Sequence, residues 1–120
     1  IGAPVVDLVS FYGTSDIGHM FGPLQIGGTP DEIHDEYVAR SPLTHLTKAI
    51  TPALILHGEA DDRCPIGQGE QLFAALLDHG CEVEFVRYPG GAHPFVRVGH
   101  PAHRLDFLTR LNEWFGRHLG

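Results

Sequence analysis

The alternation of apolar and polar positions divides the chain into a short list of elements. Pro4-Val5-Val6-Asp7-Leu8-Val9 is rich in β-branched residues and ends at Tyr12-Gly13, which predicts a buried strand. Ala53-Leu54-Ile55-Leu56-His57-Gly58 is nearly continuous in apolar character, the pattern of a parallel strand covered on both faces. Glu82-Val83-Glu84-Phe85-Val86-Arg87-Tyr88 alternates at its start, as a strand nearer the sheet edge does, and Pro89-Gly90-Gly91 breaks it.

Helical periodicity fills the intervals. After Pro65, Leu72, Phe73, Leu76 and Leu77 fall on one helical face, with Gly80 as the left-handed stop. At the C-terminal end Leu105, Leu108, Leu111, Phe115 and Leu119 recur at helical spacing, and Arg117 and His118 suit the negative end of that helix's dipole. Between Thr14 and Pro52 the chain is richer in Gly, Pro and polar residues. There Thr29, Pro30 and Glu32 form a capping box that opens a short helix, and Ser41-Pro42 opens another short helical turn.

Strand, irregular helical segment, strand, helix, strand, helix is a βαβ series, so right-handed crossovers predict an α/β fold with parallel strands and flanking helices. Three strands alone leave an apolar edge with nothing to pair. The sheet therefore reads as incomplete, a portion of a larger domain occupying residues 1–120.

Composition narrows the function classes. The chain has 120 residues, with 42% hydrophobic and 19% charged, which suits a packed globular domain. A formal net charge of −7 without any basic run offers nothing to nucleic acid phosphates or to an anionic membrane surface. No apolar stretch approaches the roughly 20 residues that span a bilayer, and the start carries neither signal-peptide features nor an initiating Met. Cys64 and Cys81 show no CxxC spacing, so a reducing, cytoplasmic setting is expected. Nine His residues raise the question of a metal. Pro101 interrupts the spacing of His100 and His103, and no Cys or carboxylate completes a set with His93, so neither a metal nor a cofactor is expected.

The chemistry gathers beyond the carboxyl ends of the predicted strands, where a rigid sheet holds functional loops. Asp61 follows the central strand and His93 follows the next one, so adjacent strands would bring an acid to an imidazole. An imidazole can take a proton from a hydroxyl near neutral pH, and a carboxylate fixes its tautomer and stabilises the imidazolium. The competing readings are a turn-forming Asp at the start of a helix and a surface-loop His. In α/β-hydrolases the order is Ser, Asp or Glu, His, which places the nucleophile upstream. Ser10, Ser15 and Ser41 are the only serines, and none sits in a G-x-S-x-G turn. Ser15 in Gly13-Thr14-Ser15-Asp16 comes nearest, yet reads as a polar turn residue. Cys64 reads as a buried thiol at a helix start.

The strings APVVDLVSFYGTSDIG, SPLTHL, TPALILHGEADDRCP, EVEFVRYPGGAHPF and HRLDFLTRLNEWF, in that order, resemble the C-terminal end of prolyl oligopeptidase-family serine peptidases, above all acylaminoacyl peptidases. The resemblance covers nearly the whole chain and implies the C-terminal portion of an α/β-hydrolase sheet. It makes Asp61 the triad acid, Asp62 a mere neighbour and His93 the general base. It makes Arg63 a candidate for holding a substrate carbonyl, against a structural ion pair with Asp62 or Glu59. Phe11, Tyr12, Ile17, Met20 and Phe21 fall where relatives line the pocket for the residue before the scissile bond, or else pack the core. The implied partners are a peptide substrate and the remainder of the hydrolase domain, which brings the serine and oxyanion hole, with a homo-oligomer left open. Family members also carry an N-terminal β-propeller and a G-x-S-x-G-G elbow, neither of which is present here. Two other readings remain: a non-catalytic interaction module that keeps the fold, and an esterase related to dienelactone hydrolase, against which the D-D-R-C-P string argues.

Overall fold

The apolar run at 53–58 forms strand β1 (Ala53–Gly58), and the run after Glu82 forms β2 (Val83–Tyr88). They pair in parallel from Ala53 opposite Val83 to Gly58 opposite Tyr88. The computed structural model describes residues 1–120, and around this two-stranded sheet it places helices α1 (Leu8–Thr14), α2 (Gly18–Ile26), α3 (Pro30–Arg40), α4 (Ile66–Asp78), α5 (Phe95–Val98) and α6 (Pro101–Leu119). A 3-10 helix, Pro42–Lys48, leads into β1. No helix is long and apolar enough to cross a membrane.

Side chains alternate along a strand, so β1 feeds two cores. Ile55 joins Val6, Leu72, Leu76 and Cys81 on the α4 side, while Leu54 and Leu56 join Tyr88, Phe95 and Trp114 on the α6 side. This double coverage explains why β1 reads as an unbroken apolar run. At its end a Cβ on Gly58 would overlap the Gly91 carbonyl, so a glycine there lets the loops after β1 and β2 meet.

The strand expected over 4–9 does not form. Ile1–Ala3 instead lies beside β1, with Gly2 bridged in parallel to Leu56 and the Leu56 N–H donating to the Ile1 carbonyl at 2.9 Å. Pro4 has no N–H to continue a ladder. The amides that follow find side-chain acceptors: Val6 and Asp7 donate to Gln68 Oε1 at 2.8 and 2.9 Å, and Leu8 donates to Ser41 Oγ at 2.9 Å. Asp7 then caps α1 through Val9 and Ser10. The β-branched residues signalled a strand, and these side-chain acceptors overrode it.

Helix α2 was not expected either, because Gly18, Gly22 and Pro23 read as loop. Gly22 is a packing residue: a Cβ there would strike the Tyr37 hydroxyl, so its absence lets α2 lie against α3. The helix from Pro30 and the 3-10 turn from Pro42 form as expected, with the Glu32 carboxylate accepting from the Thr29 N–H at 2.8 Å.

Two apolar faces need correction. On α4, Leu72 and Leu76 are buried but Leu77 is exposed. On α6, Leu105 and Leu119 are 69% and 80% exposed and Leu108 and Phe115 also face outward. The buried side is carried by Trp114, 5% exposed, with Phe107 and Leu111 packed beside it. The helix has two apolar stripes, and the aromatic one fits the groove lined by Tyr88 and Phe95. The long loop expected after β2 also contains α5, whose Phe95 enters that core.

Candidate active site

Asp61 stands in the turn between β1 and α4, with its side chain 1% exposed. Its two oxygens divide the work. Oδ1 accepts from the backbone N–H groups of Arg63 and Cys64 at 3.0 and 2.8 Å, the turn-forming role that Asp fills by propensity. Oδ2 accepts from His93 Nδ1 at 3.0 Å. Asp61 thus forms the turn through one oxygen and meets the imidazole through the other.

His93 reaches this position because the loops after β1 and β2 are tied together. The Glu59 N–H donates to the Tyr88 carbonyl and the Ala60 N–H to the Gly91 carbonyl, each at 3.0 Å. A carboxylate only accepts, so the His93 proton lies on Nδ1, which leaves Nε2 with a lone pair. The ring is 42% exposed against a nearly sealed carboxylate, an arrangement in which the imidazole can be reached and the carboxylate cannot.

The Arg63 guanidinium, unlike its backbone N–H, makes no bond to Asp61. Its Nε and Nη2 donate to Asp16 Oδ1 and Oδ2 at 2.7 and 3.2 Å, a bidentate pair that holds the Asp16 carboxyl below its ordinary range and the guanidinium above its own. The ion pair weighed for Arg63 with Asp62 or Glu59 is absent; Glu59 pairs with Arg87 at 2.9 Å instead. Two further bonds join the same segments, from the Asp16 N–H to the Asp62 carbonyl at 2.9 Å and from Ser15 Oγ to the Arg63 carbonyl at 2.6 Å. The α1–α2 turn is thereby clamped to the acid-bearing loop.

A cavity of about 370 Å³ opens beside His93 and Arg63 and is walled by Phe11, Ile17, Phe21 and Leu8. Phe11 and Phe21 meet edge to face with centroids 5.5 Å apart. Tyr12 and Met20 do not belong to this wall. Tyr12, one residue round the helix from Phe11, packs against His19 with ring centroids 4.6 Å apart and borders a separate depression with Thr29 and Pro30, while Met20 is 61% exposed. Helical geometry separates neighbours by about 100°, so the contiguous aromatic string could not all face one way.

Two of the three serine hydroxyls are engaged elsewhere. Ser41 Oγ is buried and donates to the Tyr37 carbonyl, and Ser15 Oγ holds Arg63 as described. Burial and the negative charge of Asp61 push the Cys64 thiol up to about 11, so it stays protonated at neutral pH.

One polar residue at this site escaped the sequence reading. His57, in β1, is fully buried, with Nε2 2.7 Å from the Cys64 carbonyl and 3.5 Å from Asp61 Oδ2. Its signal was a single imidazole within an otherwise apolar strand, and a buried polar group is the informative exception in a core.

Against known proteins, residues 1–120 match the prolyl oligopeptidase family throughout. The chain belongs to that family. It is 46% identical over 111 residues to the uncharacterized peptidase YuxL of Bacillus subtilis, an alignment covering 92% of this chain and 17% of that protein. The acylaminoacyl peptidase of Pyrococcus horikoshii superposes with a TM-score of 0.91 at 32% identity, over 97% of this chain and 19% of that one. An acylaminoacyl peptidase in complex with Z-Gly-Gly-Phe-chloromethyl ketone superposes equally well, at 0.91 and 31% identity, over 96% of this chain and 19% of its own. The family relationship is thus to serine peptidases of the acylaminoacyl type, and the chain spans less than a fifth of these relatives' length.

Proposed function

We propose that this prolyl oligopeptidase-family chain is the C-terminal portion of an α/β-hydrolase domain, in which Asp61 and His93 are the acid and base of a serine peptidase triad. The nucleophilic serine and the oxyanion hole come from residues outside these 120, and the chain alone is inactive. The observation that carries this reading is the contact between His93 Nδ1 and Asp61 Oδ2 at 3.0 Å, with acid buried and base accessible.

In the reaction the serine Oγ attacks the scissile carbonyl while its proton passes to His93 Nε2. Asp61 stabilises the imidazolium, which then gives the same proton to the departing amine. Water repeats the sequence on the acyl-enzyme, its proton taken by His93 and returned to the serine. The cavity walled by Phe11, Ile17 and Phe21 takes an apolar side chain before the scissile bond, in keeping with the Phe of the peptide chloromethyl ketone held by an acylaminoacyl peptidase. Arg63, aimed by Asp16, holds a substrate carbonyl. The substrate class is an N-acylated residue or short peptide.

A fluorophosphonate probe tests this on the full-length protein. Peptide mapping should find the label on a serine outside these residues, with Ser10, Ser15 and Ser41 unmodified. A label on Ser15 would overturn the assignment.

A further inference from the structure

His57 is buried on every side and yet satisfies only half of its polar capacity. A carbonyl oxygen only accepts, so the 2.7 Å contact with Cys64 fixes the His57 proton on Nε2. Nδ1 is then a lone pair with no hydrogen-bond partner. It faces α4 where a Cβ on Gly69 would lie 2.6 Å from it and 3.0 Å from Phe85 Cζ, so the helix backbone and that ring close the space around the imidazole. For folding alone this is an unfavourable choice. An orphaned buried nitrogen costs free energy that a leucine of similar volume, alternating with Ile55 on the same face of β1, would not.

What the imidazole does have is a place in the acid's turn. Cys64 supplies both ends of the connection: its N–H holds Asp61 Oδ1 at 2.8 Å, and its carbonyl is held by His57. The same Nε2 stands 3.5 Å from Oδ2, the oxygen that receives the His93 proton donor at 3.0 Å. The carboxylate is therefore fixed at Oδ1 by two amides and flanked at Oδ2 by two imidazoles, one exposed and one sealed.

We propose that His57 is a positioning residue for the Asp61–His93 pair, holding the 61–64 turn through Nε2 so that Oδ2 keeps its aim at His93. This rests on the triad reading above. An error in the carboxylate's direction weakens the stabilisation of the imidazolium, whereas the Arg63 guanidinium in the same turn stays held by Asp16, so substrate binding should change little; misplacement of about 1 Å costs on the order of a hundredfold in rate.

The test uses the full-length protein, with kcat expressed per active site titrated by a fluorophosphonate. His57→Leu should lower kcat roughly ten- to hundredfold with KM little changed, and His57→Gln, whose amide can donate to the Cys64 carbonyl, should recover most of the loss. A purely structural role would reduce the number of titratable sites and leave turnover per site intact. Gly69→Ala, which crowds Nδ1 without touching the imidazole's own chemistry, should also lower kcat per site, and it decides the matter if His57→Leu does not fold. Asp61→Asn serves as the control. If it retains wild-type turnover, the triad reading fails and the positioning role with it. If it is inactive while His57→Leu and Gly69→Ala turn over like wild type, the positioning role alone is wrong.

Discussion

Asp61→Asn in the full-length protein replaces the oxygen facing His93 by an amide nitrogen while sparing the rest of the turn. Asn Oδ1 can still accept from the Arg63 and Cys64 N–H groups, so the loop should keep its shape. At His93 two losses combine. An imidazolium and a carboxylate with charge centres about 4 Å apart attract by about 4 kcal/mol at an effective dielectric constant near 20, which is close to three powers of ten in rate. The new Nδ2 group also donates where the carboxylate accepted, so His93 must carry its proton on Nε2, the atom that has to be a base. Together these predict a fall in kcat of roughly 10³- to 10⁴-fold. KM should stay near its wild-type value, because the Asp61 side chain is 1% exposed and shielded from substrate. Steady-state kinetics on a chromogenic N-acylated amino acid substrate, corrected by active-site titration, would measure both constants. A kcat within tenfold of wild type would refute the role of Asp61, and a loss confined to KM would make it a binding residue instead.

Three further expectations concern the loop around Asp61. If Asp16 aims Arg63 at the substrate, Asp16→Ala and Arg63→Ala should raise KM alike with little change in kcat, and a KM effect for Arg63→Ala alone would dissociate the pair. The hydrogen bond from Arg63 holds the Asp16 carboxyl below its ordinary range, so its contribution to stability is present above the unfolded carboxylate pKa and is lost as pH falls through the lowered folded value. The gap in denaturation midpoint between wild type and Asp16→Asn should accordingly close in acid, and a gap that persists fully at pH 2 would contradict this. Cys64, with its thiol pushed up to about 11, should be alkylated by iodoacetamide in the folded protein far more slowly at pH 7 than after unfolding; equal rates would show that burial does not protect it.

The central strand, its neighbour, the capped helix at Pro30 and the helices after Pro65 and Pro101 were legible because local pattern and tertiary packing agree there. β1 looks apolar throughout since it has a core on each face, and the Thr29–Glu32 box acts within one turn of chain. Asp61 and His93 were legible as an acid and an imidazole at adjacent strand ends, and the family strings distinguished Asp61 from Asp62. The sequence could not assign the two oxygens of Asp61, because turn propensity and the proposed catalytic role ask for the same residue at the same place.

Whatever depended on partners distant in sequence was decided by the tertiary structure. Residues 4–9 carry strand formers, but Gln68 and Ser41, more than thirty residues away, capture their amides and release the chain into α1. Helix α6 offers two apolar stripes, and only the shape of the groove beside Tyr88 and Phe95 selects the one with Trp114. Arg63 had acidic neighbours in sequence and paired instead with Asp16, across 47 residues, because the α1–α2 turn packs against the acid's loop. His57 took its place beside Asp61 through the end of β1, where strand alternation turns it toward α4. Hydrophobic period and capping chemistry are properties of neighbouring residues and can be read along the chain, whereas the choice among several polar partners belongs to the packed molecule.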